Sequence, residues 1–223
     1  MAKIKELEED ELTFARKEIA TQKEFNENSS HELQTPLAII RNKLEILIQS
    51  QNLDEDDMQI IQSIFEAEKR LNQLNKGLLL LSQIDNLQFD TEIKININET
   101  LKQCLSNYNY QIVDKEINVK WVTSNNDVLV KGNQGLLEIM LNNLISNAIR
   151  HNFKNGLIEI CLNGNELQIL NTGQTLEGSP VLMFERFKKQ SNSEISLGLG
   201  LSIVKKICDV FMYHHLFCLP LLL

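Results

Sequence analysis

Two runs of leucine and isoleucine, each stepping by four and then three residues, decide what the first third of this chain can become. Leu33, Leu37, Ile40, Leu44 and Leu47 form the first; Ile60, Ile64, Ala67, Leu71, Leu74, Leu78 and Leu81 form a second and more regular one. That spacing holds an apolar stripe on one side of an α-helix. The first helix is expected to end near Ser50, where Gln51-Asn52-Leu53-Asp54 supplies a loop and an N-cap candidate. Two amphipathic helices on so short a loop make an antiparallel hairpin, and a hairpin alone leaves apolar surface in water. Pairing two hairpins into a four-helix bundle covers it, so the pattern predicts a homodimer. The hairpin takes residues 25–88, and the charge-rich stretch before it, residues 1–24, reads as a helical connector.

One cluster on the first helix is not explained by packing. At about 100° per residue, His31 falls roughly 160° from the centre of the first stripe and is expected to face outward. Thr35 shares that face, Glu32 is the next residue, and Pro36 removes an intrahelical hydrogen bond and should bend the helix. Imidazole is largely a neutral base at pH 7 and a competent nucleophile, and a neighbouring carboxylate can orient it or take its proton. A coiled coil without chemistry accounts for the stripes but not for this group.

Past Asn86 the periodicity changes. Ile93-Lys94-Ile95-Asn96-Ile97 alternates as a strand, Asn98-Glu99 can cap a helix through Leu101, Leu105 and Tyr108, and strands are expected over 118–123 and 128–130. A helix follows from about Gln134 to His151, then strands 157–162 and 167–170 around Asn163-Gly164-Asn165, and a last helix from about Leu197 to Asp209. Strands and helices mix without strict alternation, which points to an α+β sandwich, helices on one face of a mixed sheet, over residues 89–223. The whole is thus multidomain, α followed by α+β. A net charge of −8 argues against a nucleic-acid partner. The four cysteines have no metal-ligand or CxxC spacing and read as reduced thiols. No apolar run approaches the ~20 residues that cross a bilayer. The expectation is a soluble cytoplasmic stretch without membrane contact, and a membrane-anchored parent stays open.

Three groups in the second domain carry chemistry. Asn143 and Asn147 lie four apart on one helix face, with Arg150 and His151 a turn further on; carboxamide oxygens suit Mg²⁺ and a guanidinium suits phosphate. Asparagine is a poor helix former, so this run is locally unfavourable unless something binds it. Asn171-Thr172-Gly173 follows a strand, where glycine lets backbone turn close to a flat ligand. Ser196-Leu197-Gly198-Leu199-Gly200-Leu201 opens a helix whose positive end can cradle phosphate. Between the last two lies a polar loop of some twenty residues containing Phe184-Glu185-Arg186-Phe187-Lys188-Lys189, of a length often used as a lid.

Taken in order, these groups make the chain resemble the catalytic core of a two-component sensor histidine kinase, from about residue 22 to residue 209. His31-Glu32-Leu33-Gln34-Thr35-Pro36-Leu37 is similar to the family's phosphoacceptor box and Asn143-Leu144-Ile145-Ser146-Asn147-Ala148 to its N box. Asn171-Thr172-Gly173 and Gly198-Leu199-Gly200-Leu201 resemble its two glycine boxes, and Phe184-Glu185-Arg186-Phe187 its F box. The resemblance implies ATP and Mg²⁺ as cofactors, a homodimer and a response-regulator receiver domain as partner. It implies that His31 is phosphorylated with Glu32 as acid–base partner, and that Thr35 assists hydrolysis of the phosphorylated regulator. Asn147 would hold Mg²⁺, Asn143 the metal or phosphates, Arg150 and His151 would line the nucleotide, Lys189 would reach the γ-phosphate, and Gly173, Gly198 and Gly200 would approach the ligand. Asn171 stands where the family usually has an aspartate that accepts from the adenine amino group; it keeps the carbonyl acceptor without the charge. Thr175 and Ser196 replace usual glycines, and the stretch after the last helix is short, which implies a missing or atypical edge strand. Two alternatives are a degenerate dimeric docking module for a regulator and an ATPase of the gyrase or chaperone type.

Overall fold

The computed structural model describes residues 32–50, 53–85, 93–123, 128–164, 166–174, 184, 198–212 and 220–221. The connector expected at 1–24, His31, residues 86–92, Thr175, Lys189 and Ser196 lie outside the described residues. The chain divides into two compact units, Met1–Gln88 and Phe89–Leu223.

In the first unit, helix α1 is described over 32–48 and runs unbroken through Pro36; α2 spans Glu55–Asp85. Asp54 starts α2 as expected. The Asp57 N–H donates to Asp54 Oδ1 at 2.8 Å and the Asp54 N–H to Asp57 Oδ2 at 3.3 Å, a reciprocal cap, while Glu55, Asp56 and Asp57 complement the helix dipole. The apolar stripes, however, are only partly covered within the chain. Leu37 and Leu44 are buried on α1, but Leu33, Ile40 and Leu47 are exposed; on α2, Ile60, Ile64, Leu71 and Leu78 are exposed. The positions α2 buries are Ile61, Glu68 and Asn75, seven apart, with Gly77, Leu81 and Ile84 beyond them. Arg41 Nη1 lies 3.9 Å from Glu68 Oε2 across the hairpin, which marks that line as the one turned to α1. At 100° per residue, the exposed stripe of α2 stands roughly 65° from this buried line. Each helix thus has one contact face satisfied and a second one bare. The satisfied face is imperfect: Glu68 Oε2 and Asn72 Oδ1 are buried with no hydrogen-bond donor.

The second unit begins with β1 (Ile93–Asn96), α3 (Ile97–Ser106), α4 (Asn109–Asp114), β2 (Asn118–Thr123) and β3 (Leu129–Gly132). It continues with α5 (Gln134–Arg150), β4 (Leu157–Asn163), β5 (Glu166–Thr172), α6 (Gly200–Phe211) and β6 (Pro220–Leu221). The cap of α3 is Asn96 and not Asn98. Asn96 ends β1 in extended backbone, and its side-chain oxygen accepts from the Asn98 and Glu99 amides, so Asn98 falls inside the helix. The short α4, too brief for a periodicity to betray it, was not expected. β1 pairs antiparallel with β3; the other sheet has the order β2-β4-β5-β6, with β2 parallel to β4, β4 antiparallel to β5 and β5 parallel to β6. Among the described residues the edge strand β6 is two residues long, pairing Asn171 with Pro220 and Thr172 with Leu221.

The core lies between the helices and the larger sheet. Leu136, Leu137, Met140, Leu141, Leu144 and Ile145 of α5 are buried, as are Ile158, Ile160 and Leu162 of β4, Ile169 of β5 and Val204 and Ile207 of α6. Alternate residues of β4 and β5 point into it, the pattern of a sheet covered on one face. Cys104 and Cys208 are packed there as free thiols, and burial pushes the Cys208 thiol up to about 11. The consequence for the site is simple: α5 turns one face to the core and is left with Asn142, Asn143, Ser146 and Asn147 on the other, half-buried.

Candidate functional site

The polar face of α5 is where the predicted residues converge. Asn142 and Asn143 donate their side-chain amides back to the Glu138 and Ile139 carbonyls, each at 2.8 Å, which leaves both Oδ1 atoms facing away from the helix. Asn143 Oδ1 is so close to Gly200 that a Cβ there would sit 2.9 Å from it. Gly200 is the first residue of α6, whose N-cap, Leu199, has no side chain able to cap it. The first-turn amides of α6 and their positive dipole end therefore lie beside a carboxamide oxygen. Gly198 precedes them with φ 69°, a left-handed conformation that glycine adopts without strain. Asn147 makes no side-chain hydrogen bond to a described residue.

A second convergence lies at the other end of α5. A Cβ on Gly173 would collide with the His151 carbonyl oxygen and stand 3.2 Å from Asn171 Nδ2, so Gly173 is packed between the His151 backbone and the Asn171 side-chain amide. Asn171 is buried and donates to the Thr172 carbonyl at 2.9 Å, which orients its amide and leaves Oδ1 without a hydrogen bond among the described residues. Arg150 and His151 are exposed, at the rim. Loss of hydration on its covered side, then the charges of Arg150 and Lys115, hold the His151 imidazole below the ordinary 6.5. The ring is therefore neutral at pH 7 and can donate from one nitrogen and accept at the other. Because the unfolded chain takes a proton first, folding stability from this group falls as pH drops below about 6.5. An NMR titration of His151 is expected to show a midpoint below that of histidine in an unfolded peptide.

Sequence reasoning missed the residues that hold this end together. Thr172 Oγ1 donates to the buried Asn152 Oδ1 and accepts from the Leu157 N–H at 2.9 Å, while Asn152 Nδ2 donates to the Leu157 carbonyl at 3.1 Å. Gly156 sits inside this knot, where a Cβ would collide with Asn152 Oδ1 and Thr172 Oγ1 and meet the Phe153 carbonyl at 2.9 Å. Gly156→Ala is expected to destabilise the second unit by about 2–3 kcal/mol, since the buried hydrogen bonds must open to admit the methyl group. Urea unfolding checks it. Nothing local in the sequence signals these roles, because each partner is contributed by a different strand or turn.

Glu32, Thr35 and Pro36 are exposed on α1 of the first unit. His31 and Lys189 are outside the described residues, and Gly173, Asn171, His151, Arg150, Asn147, Asn143, Gly200 and Gly198 are distributed along α5 and its two glycine neighbours. The arrangement suits a phosphate-bearing, metal-accompanied ligand: neutral carboxamide oxygens, an uncapped helix N-terminus, a guanidinium, and glycines that admit close approach.

Comparison with known proteins finds two family matches along the chain. Residues 21–87 match the family model of the His Kinase A (phospho-acceptor) domain, and residues 132–217 that of the histidine kinase-, DNA gyrase B-, and HSP90-like ATPase. The chain is 34% identical over 199 residues to the heme sensor protein HssS of Staphylococcus saprophyticus, covering 86% of this chain and 42% of that protein. It is 35% identical over 191 residues to HssS of Staphylococcus haemolyticus, covering 82% and 41%. The chain thus spans about two fifths of the length of these curated relatives. Among solved structures, full-length ShkA in complex with AMPPNP superposes with a TM-score of 0.63 at 20% identity, covering 84% of this chain and 41% of that one. The Acinetobacter baumannii histidine kinase AdeS superposes at 0.55 with 22% identity, covering 81% and 86%. A helical phosphoacceptor hairpin followed by an α/β ATPase-type sandwich is the two-part core of a protein kinase that phosphorylates histidine. The chain belongs to the sensor histidine kinases and carries their catalytic core.

Proposed function

We propose that this chain is an ATP-dependent protein histidine kinase core that phosphorylates itself on His31 and passes the phosphoryl group to an aspartate of a response regulator. Residues 1–24 serve as the connector, 25–88 as the dimerising phosphoacceptor hairpin and 89–223 as the ATP-binding domain. The observation that carries the reading is the packing of Gly200 against Asn143 at the uncapped start of α6. That cradle has no room for a side chain, and the α6 amides beside it suit a phosphate.

Asn147 would hold Mg²⁺, with Asn143 Oδ1 beside the phosphates at the α6 N-terminus. Bound MgATP supplies the transferable phosphoryl group and neutralises part of its own charge. Arg150 and neutral His151 line the nucleotide, Asn171 Oδ1 accepts from the base, and Gly173 and Gly198 let backbone close in. Lys189, on the polar loop, reaches the γ-phosphate. On the hairpin, a neutral His31 nitrogen forms the new bond to phosphorus as the bond to the leaving ADP oxygen breaks, and Glu32 orients the ring or takes its proton. Thr35 assists the reverse hydrolysis of the phosphorylated regulator. Homodimerisation follows from the bare stripe of exposed Ile60, Ile64, Leu71 and Leu78, which a second hairpin covers.

The test is incubation with Mg²⁺ and ATP labelled at the γ-phosphate. Label on the protein that is labile in acid and stable in base is expected, the signature of a phosphorus–nitrogen bond. A folded dimer that takes no label would leave a regulator-docking module, and free phosphate without labelled protein would leave a plain ATPase.

A further inference from the structure

Helix α5 ends in a run of carbonyls, and one side chain from elsewhere takes most of them. Lys115 Nζ lies 2.9 Å from the Ile149 oxygen, 3.1 Å from that of Arg150 and 3.4 Å from that of Asn152. The carbonyl between them, His151, is turned to Gly173. The ammonium is held in place by its surroundings. Lys115 follows α4, the Asn155 N–H donates to its carbonyl at 2.9 Å, and the next residue, Glu116, pairs with Lys154 at 3.1 Å.

A helix C-terminus carries the equivalent of about half a negative charge. Here it falls under Arg150 and His151, the two residues at the rim of the site that would meet a polyanion. Left bare, it would oppose phosphate and draw the Arg150 guanidinium back onto the helix. We propose that Lys115 is a positioning residue for the nucleotide phosphates: it neutralises the carbonyl end of α5, fixes Arg150 and His151 at the rim, and removes a repulsive field beside them. This rests on the ATP reading above. Lys115 does not itself touch the nucleotide in this account, so its signature is electrostatic and follows ligand charge.

Lys115→Met keeps the aliphatic stem and removes the charge, and Lys115→Arg keeps the charge. Affinities of the full chain for ATP and for adenosine are compared by calorimetry and NMR titration at low and high salt. Lys115→Met is expected to weaken ATP about five- to tenfold while adenosine stays within about twofold. Lys115→Arg should restore most of the loss, and the ATP effect should shrink as salt rises. An equal loss for ATP and adenosine would show a purely structural clamp and overturn the proposal, as would unchanged ATP affinity. Should Lys115→Met fail to fold, the arginine variant decides: retained ATP affinity supports the proposal, and a loss shared with adenosine overturns it. A wild-type chain that binds no ATP refutes the nucleotide reading itself and this inference with it.

Discussion

A His31→Gln chain is expected to dimerise, to bind ATP as the parent does, and to acquire no acid-labile phosphate. The loss should reach at least about a thousandfold, to background, because a carboxamide nitrogen has no free lone pair with which to attack phosphorus. Nucleotide affinity should persist because the residues that would make it belong to the second unit, Phe89–Leu223, and His31 belongs to the first. The result that would refute the assignment is label of the same acid lability on the variant. Label that survives acid in both chains would point to a hydroxyl acceptor.

Glutamate at both Leu71 and Leu78 is expected to convert the dimer to a monomer. These side chains are 54% and 43% exposed in the single chain, so the substitutions leave the hairpin's own packing almost untouched. In the dimer they would place four carboxylates along one apolar seam, and burying even one unpaired charge costs several kcal/mol. A rise in the dimer dissociation constant of at least about a thousandfold, ~4 kcal/mol, is the lower end of that expectation. Gln73→Glu, exposed on the opposite side of α2, should remain dimeric. Sedimentation equilibrium measures both. A double variant that stays a dimer would mean that another surface joins the subunits.

The two heptad stripes were legible because a 3.5-residue repeat is a one-dimensional signal. What they could not reveal is the partner of each residue. Leu37 and Leu44 are covered within the chain and Ile40 and Leu47 are not, although all four share the repeat. A search for apolar periodicity also passes over Glu68 and Asn75, which occupy the buried line of α2. In the second unit, Asn143, Asn147 and Asn171 stood out as polar residues in costly places, and the glycines as points of close approach. Lys115, Asn152 and Gly156 did not, and Thr172 stood out only as part of a glycine box, because their meaning lies in contacts with distant segments that only the fold creates. The α3 cap was misplaced by two residues because two asparagines compete there and local sequence does not say where β1 stops.

The donorless oxygens of Glu68 and Asn72 have a consequence for how the helical unit comes into being. Glu68 Oε2 keeps only a 3.9 Å ion pair with Arg41, and Asn72 Oδ1 has no hydrogen bond among the described residues, so these atoms give up hydration for little in return. In the proposed dimer, a second hairpin on the bare stripe adds apolar contact that the single chain lacks. Stability of this unit is then expected to rise with protein concentration, since a twin that binds only the folded hairpin favours the folded state.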